Sequence, residues 1–156
     1  MADLISDGMI RVTWVPTIAN IAAPTVAEIN AGLRIDTTMT PDGLKVTPAT
    51  ADVDTSALSS TFNTAKAGRR TFDNSITLKK QDTGDTAATT LVYQAVGYLV
   101  VRRSVTAGTA NTIGDKVEVF PSQCGEPQKA YGPNTVQAYE VPLKMTADPN
   151  TNATVA

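Results

Sequence analysis

The chain has 156 residues, 42% apolar and 18% charged, with 13 basic and 15 acidic side chains and a net charge of -2. That length supports one ordinary core, or two small ones at most, and the near-neutral balance speaks against nucleic-acid binding driven by bulk charge. Histidine is absent and Cys124 is the single cysteine, which excludes histidine-based acid/base chemistry, an internal disulfide and a cysteine-built zinc site.

Threonine is the unusual count, with 24 residues beside 15 valines and 3 phenylalanines. Both β-branched types suit pleated surfaces, so the chain reads as a β protein with much half-buried polar surface. Residues 9–15 alternate as a strand, with Ile10, Val12 and Trp14 on one face. A loop with Pro16 and Pro24 follows, then a helix of barely two turns over 25–32. Thr25 and Glu28 form a capping box, and Gly32 supplies a left-handed stop.

From 33 to 67 the pattern weakens. Pro41, Asp42 and Gly43 read as a turn, with short strands expected at 44–47 and 53–58. A long segment with little core pattern is commonly functional, so residues of about 40–67 are taken as an interaction loop. Residues 69–80 form the clearest strand. Phe72, Ile76 and Leu78 point one way, while Arg69, Thr71, Asp73, Ser75, Thr77 and Lys79 make the other face uniformly polar.

Asp85 caps a predicted helix over 86–96, ended by Gly97. Residues 98–103 read as a buried strand, and 116–120 as another with Val117 and Val119 inside. Pro121, Pro127 and Pro133 break up the next stretch. The last strand spans 135–145, with Tyr139, Val141, Leu143 and Met145 on one face. Pro142 on the other face suggests an edge or a bulge. The polar tail 147–156 is expected to be flexible. Six or seven strands and two helices, one long and one short, fit antiparallel sheets packed as a sandwich or partial barrel with a flanking helix.

No residue pattern demands catalysis. Asp52 and Asp54 share a strand face, but no third ligand or base stands beside them in sequence, and a solvated rim accounts for them better. Residues 108–116 faintly echo a phosphate loop, yet Asp115 stands where the Gly-Lys-Ser/Thr ending would be required. Cys124 lacks a basic neighbour to activate it, and Asn152-Ala153-Thr154 is a chance sequon in a threonine-rich chain. No cofactor or metal site emerges. The acidic start, with Asp3 and Asp7, is unlike a secretory signal. The apolar run 91–101 is shorter than the ~20 residues of a membrane helix. Both point to a protein kept in a cytoplasm, with no membrane insertion.

Charge is distributed unevenly: residues 1–60 carry -4, residues 61–103 carry +4, and the remainder -2. Complementary patches of this kind favour head-to-tail self-assembly into rings or filaments. A non-assembling β-sandwich binding module is the second reading, although exposed aromatics are few. A small carboxylate hydrolase is the third, and nothing places two acids in one cleft.

A series of stretches resembles the major tail tube proteins of long-tailed bacteriophages, in particular those of phages infecting actinobacteria. It runs through Ala23 to Gly32, Thr40 to Leu44, Gly68-Arg69-Arg70, Gly97 to Arg102, Gly114 to Pro121, Cys124 to Pro127 and Val141 to Thr146. The order and spacing span about residues 9–146. The resemblance implies a structural, non-enzymatic subunit of the virion tail, assembled in the host cytoplasm. Its rings, usually hexameric, stack into a tube around a tape-measure protein, between a tail terminator and distal tail proteins, and DNA passes through the lumen. It also implies a domain over 1–146, a ring-stacking loop at about 40–67 bearing Asp42, Lys45, Asp52, Asp54 and Lys66, and a flexible arm over 147–156. The polar row Arg69, Thr71, Asp73, Ser75, Thr77 and Lys79 is then the expected lumen lining, and its basic ends are either offset by Asp52 and Asp54 on an adjacent paired strand or placed in ring contacts. Tube proteins of contractile tails and secretion systems are a variant of the same class.

Overall fold

The computed structural model describes residues 2–156. Nine strands and two five-residue helices follow in the order β1 (Arg11–Val15), α1 (Val26–Asn30), β2 (Leu33–Arg34), β3 (Met39–Asp54), β4 (Ala65–Lys79), α2 (Thr86–Thr90), β5 (Val96–Arg102), β6 (Lys116–Cys124), β7 (Gln128–Ala130), β8 (Ala138–Met145) and β9 (Asn150–Thr154). All pairings are antiparallel, in the order β2-β1-β5-β6-β8-β4-β3, with β7 beside β8 and β9 beside β6.

β1, β5 and β6 are buried on both faces, because each alternates apolar residues to both sides. Val12, Trp14, Leu99, Val101, Phe120 and Cys124 enter one cluster. Val15, Val100, Val117 and Val119 enter a second. The sheet turns back on itself at β6 and β8, whose pairing is confined to Ser122–Cys124 against Leu143–Met145. Ile76 and Leu78 of β4 and Tyr139, Val141 and Leu143 of β8 thereby join the first cluster, closed by Ala87 and Leu91 at α2. Ile29 of α1, Ile18, Ala153 and Val155 cover the second. The expected sandwich of antiparallel layers is the fold observed.

The short helix forms where its punctuation predicts. Thr25 accepts from the Glu28 amide, and the Glu28 carboxylate accepts from the Thr25 amide at 2.9 Å. Gly32, however, is not left-handed. A Cβ there would lie 2.6 Å from the Trp14 carbonyl oxygen, so its smallness lets the chain pass against β1. The second helix stops at Thr90, six residues before the expected end. The chain is needed for β5, and Gly97 lies inside that strand, where a Cβ would sit 2.7 Å from the Trp14 ring.

Four other expectations change. The Pro41-Asp42-Gly43 turn is an irregularity within β3, between the pairs Met39–Leu78 and Leu44–Ile76. β6 runs straight through Pro121, which is opposite Tyr98. Pro142 lies in an interior strand, near the point where the partner of β8 changes from β7 to β6. Its carbonyl accepts from Gly125 at 2.8 Å. The tail is not a free arm: β9 pairs with β6, and the Ala153 and Val155 side chains are buried.

Arg102, at the end of β5, is 1% exposed. It donates from Nη1 to Asn111 Oδ1 (3.0 Å) and Asp115 Oδ2 (3.3 Å), and from Nη2 to the carbonyls of Thr106 (3.0 Å) and Thr109 (2.6 Å). Asn111 extends the network to Asn30 at the end of α1, and Arg11 donates to the Thr109 carbonyl from the other side. One planar guanidinium thus shapes the whole 106–115 connection. We expect Arg102→Ala to lose about 3–5 kcal/mol, because it strands a carboxylate and several carbonyls at low exposure. Arg102→Lys should recover little, since an ammonium lacks the fork. Urea unfolding of the three proteins measures both.

Burial alone would raise the Asp115 carboxyl, but bonds from Thr112 and Arg102 hold it below its ordinary value. Burial likewise acts against Asp85, and the amides of Gln81 and Ala88 with the Lys80 ammonium more than offset it. Stability tied to both acids is therefore present above the unfolded carboxyl value near ~4 and lost as pH falls through the lower folded values. At the alkaline end, burial pushes Cys124 to about 11, and burial with the Asp85 charge pushes Tyr139 to about 12. Their contribution is full below the ordinary values of 9.0 and 10.0 and lost as pH rises toward the folded ones. Urea midpoints should be flat from about pH 5 to 8 and fall on both sides.

Candidate assembly surface

One sheet face is left without cover by the two clusters. Along β4 it presents Thr71, Asp73, Ser75, Thr77 and Lys79, with Thr71 and Asp73 exposed and the rest half-buried. The register sets Lys45 beside Ser75, Thr47 beside Asp73 and Ala49 beside Thr71 on β3. On β8 it sets Lys144 beside Asp73, Pro142 beside Ser75, Glu140 beside Thr77 and Ala138 beside Lys79. Paired residues of an antiparallel ladder share a face, so the polar row read from sequence is the middle of a three-stranded wet surface. Lys45, Lys79 and Lys144 on it stand against Asp73 and Glu140. Arg69 falls at the register shift opposite Thr50 and Asp52, outside the regular row.

Asp52 and Asp54 do not offset those bases. They pair with Ala67 and Ala65, and continue the even-numbered row of β3 that carries Leu44, Val46 and Pro48 toward the core side. The carboxylates are thus on the reverse of the ribbon from Asp73. Lys66, opposite Val53, is on the wet side. Of the five residues expected in a stacking loop, Asp42 is in the irregularity at the root of β3 and Lys45 is on the wet face. Asp52, Asp54 and Lys66 project further out.

What sequence reading took for an irregular loop is a β-ribbon. Phe72, opposite Pro48, is the last residue of β4 to touch the core, tilted against Phe120 with ring centroids 6.0 Å apart. Beyond it β3 and β4 stay paired to Asp54–Ala65, and Thr55 donates to the Thr64 carbonyl at 2.9 Å. From Pro48 to Thr55 the ribbon reaches roughly 23 Å at about 3.3 Å per residue. Its side chains are almost all exposed on both faces, and the tip holds Leu58 at 106% and Phe62 at 74% exposure. The four ion pairs among the described residues leave out Asp52, Asp54, Lys66, Arg69 and Arg70.

β3 also ends the strand order, so its outer edge is unpaired among the described residues. Pro41 and Pro48 lie within it, which an edge position tolerates more readily than an interior one, although Pro121 and Pro142 show that interior strands of this molecule also admit proline. An uncovered edge on a ribbon wet on both faces is a template for another chain. Cys124 is buried with its thiol pushed to about 11, and no group of three or more His, Cys, Asp or Glu among the described residues could hold a metal ion.

A family model described as phage tail tube protein matches residues 1–156. No curated protein matches the chain at a significant level. Among solved structures, the fold is similar to a chain of the six-fold symmetrised cryo-EM baseplate of the anti-feeding prophage. The likeness has a TM-score of 0.60 at 10% identity and covers 96% of each chain.

A two-stranded ribbon is marginal in water without a third strand or a covering layer. In the dispersed subunit, limited trypsin should cut first after Lys66, Arg69 or Arg70, while β5 and β6 stay intact. Amide exchange over 49–71 should be the fastest of any strand segment. Protection that rises with protein concentration would report that other copies cover the ribbon.

Proposed function

The chain belongs to the phage tail tube protein family, and from that premise we propose how its surfaces serve the tube. It is a structural subunit of the virion tail. The wet face of β3, β4 and β8 is proposed as the lumen layer. Its threonine and serine hydroxyls, with lysines and carboxylates alternating among them, give a passing polyanion no continuous basic track to adhere to. The projecting ribbon is proposed as the contact that holds one ring to the next. A ring of six is favoured by the symmetry of the structurally similar baseplate. A tape-measure protein inside, a terminator and distal proteins at the ends, passage of DNA, assembly in the host cytoplasm and absence of enzymatic activity complete the reading.

The observation that carries it is the ribbon of residues 49–71, whose exposed faces and open edge find no cover among the described residues of its own subunit. The purified protein, viewed by negative-stain electron microscopy at rising concentration, should form uniform hollow tubes or stacked rings. If it stays dispersed alone, the tape-measure protein is added. Monomers at every concentration in its presence would sink the proposal. Because Asp52 and Asp54 face away from the wet surface, changing both to Lys should cost tube yield at least tenfold. Intact tubes with slowed DNA ejection would instead return these acids to the lumen.

A further inference from the structure

The ribbon and an apolar hollow of the subunit lie at opposite ends of β4. β4 leaves the core contact at Phe72 toward the ribbon tip and ends at Lys79 on the other side. Beyond Lys79 is a hollow of about 240 Å³, formed by Lys80, Ala88, Pro127, Lys129, Tyr131 and Tyr139. The register fixes this placement, since Lys79 pairs with Ala138 at the start of β8 and β7 pairs with Ala138 to Glu140. About seven residues of strand, roughly 23 Å, separate Phe72 from Lys79.

The two poles match in chemistry. The outer ribbon offers Phe62 and Leu58 at its tip, both exposed, and the carboxylates of Asp52 and Asp54 behind them. The hollow offers an aromatic and proline wall with Tyr131 at 75% exposure. Its rim carries Lys129, which has no ion pair among the described residues, and Lys80, whose ammonium is shared with Asp85 at 3.2 Å. A cavity of about 150 Å³ takes a benzene ring, so one phenylalanine fits. A tip cannot reach the hollow of its own subunit, because the two point away from each other along one strand.

We infer that the hollow at the β7–β8 end receives the ribbon tip of a second copy, with Phe62 as the buried anchor and Asp52 or Asp54 facing Lys129. This rests on the tube reading and specifies the receiving surface, which no comparison assigns. The contact joins unlike surfaces, so each copy keeps a free tip and a free hollow for the next.

Two variants, Ser60→Cys and Lys129→Cys, are assembled as an equimolar mixture and treated with a short bis-maleimide. Cys124 is buried and stays out of the reaction. The expected result is an intersubunit product joining the peptide that carries position 60 of one variant to the peptide that carries position 129 of the other. Mass spectrometry identifies it, and adding Phe62→Ala should reduce it at least tenfold. Tubes that form normally but link position 60 elsewhere, or not at all, would overturn the docking while leaving the tube subunit standing. Failure to form tubes even with the tape-measure protein, and with no linked product, would overturn both. A charge test stands apart from the cross-link. Lys129→Glu should lower tube yield several-fold, and Asp52→Lys with Asp54→Lys in the same chain should restore it; no restoration counts against the facing of these charges.

Discussion

Pairing of β3 with β4 continues well past the point where either strand can touch the core, and this imposes the main constraint on the molecule. Up to Phe72 the ladder is held by side chains that reach Phe120 and its neighbours. Past it, backbone bonds between exposed strands offset little of the entropy lost in ordering them. A subunit that keeps such a ribbon extended has a standing reason to place it against another molecule. The folded body is built to hold the root of that ribbon. β8 pairs with β4 only over Asp73 to Lys79, so it supports the inner half and releases the outer.

The body is made rigid by burying its middle layer on both sides. Trp14, Leu99 and Phe120 enter one cluster while Val15, Val100 and Val119 enter the other. Close approach at Gly32 and Gly97, both against Trp14, lets flanking chain pass without a gap. Arg102 does for the 106–115 connection what apolar packing does elsewhere, with its bonds directed largely at backbone carbonyls. A long polar loop therefore becomes part of the body, and freedom is concentrated in the ribbon.

Legibility in the sequence follows from how local each signal is. The α1 cap was readable because Thr25 and Glu28 satisfy each other within one turn. The row from Thr71 to Lys79 was readable because one face is core and the other wet, which writes a period of two. The ribbon was not, since neither face is buried in the subunit and no apolar alternation records its strands. Thr, Ala and Ser there look the same in loop and ladder. Arg102 was missed because three of its five acceptors are backbone carbonyls spread over 106–110, which no residue type announces. The tail was misread for a similar reason: β9 is polar except Ala153, and its order comes from pairing with β6. The facing of Asp52 and Asp54 follows from the unbroken alternation of β3 outward from Leu44, which shows only once the segment is known to be a strand.

An assembly contact between unlike surfaces has a consequence for length. If the ribbon of one copy meets the opposite pole of the next, every added ring presents the same free surface as the ring it covered. Closure around the ring is set by geometry, but along the stack nothing in the subunit can count. Each addition is worth the same free energy, so growth driven by this contact alone gives a broad spread of lengths. A tube of defined length then requires a separate ruler and a separate cap, and the subunit needs only to offer an inner wall that does not grip what passes. If the β4 row is that wall, as proposed, its mixed charges and hydroxyls suit it, and the exposed apolar side chains of Leu58 and Phe62 stand apart from it at the ribbon tip.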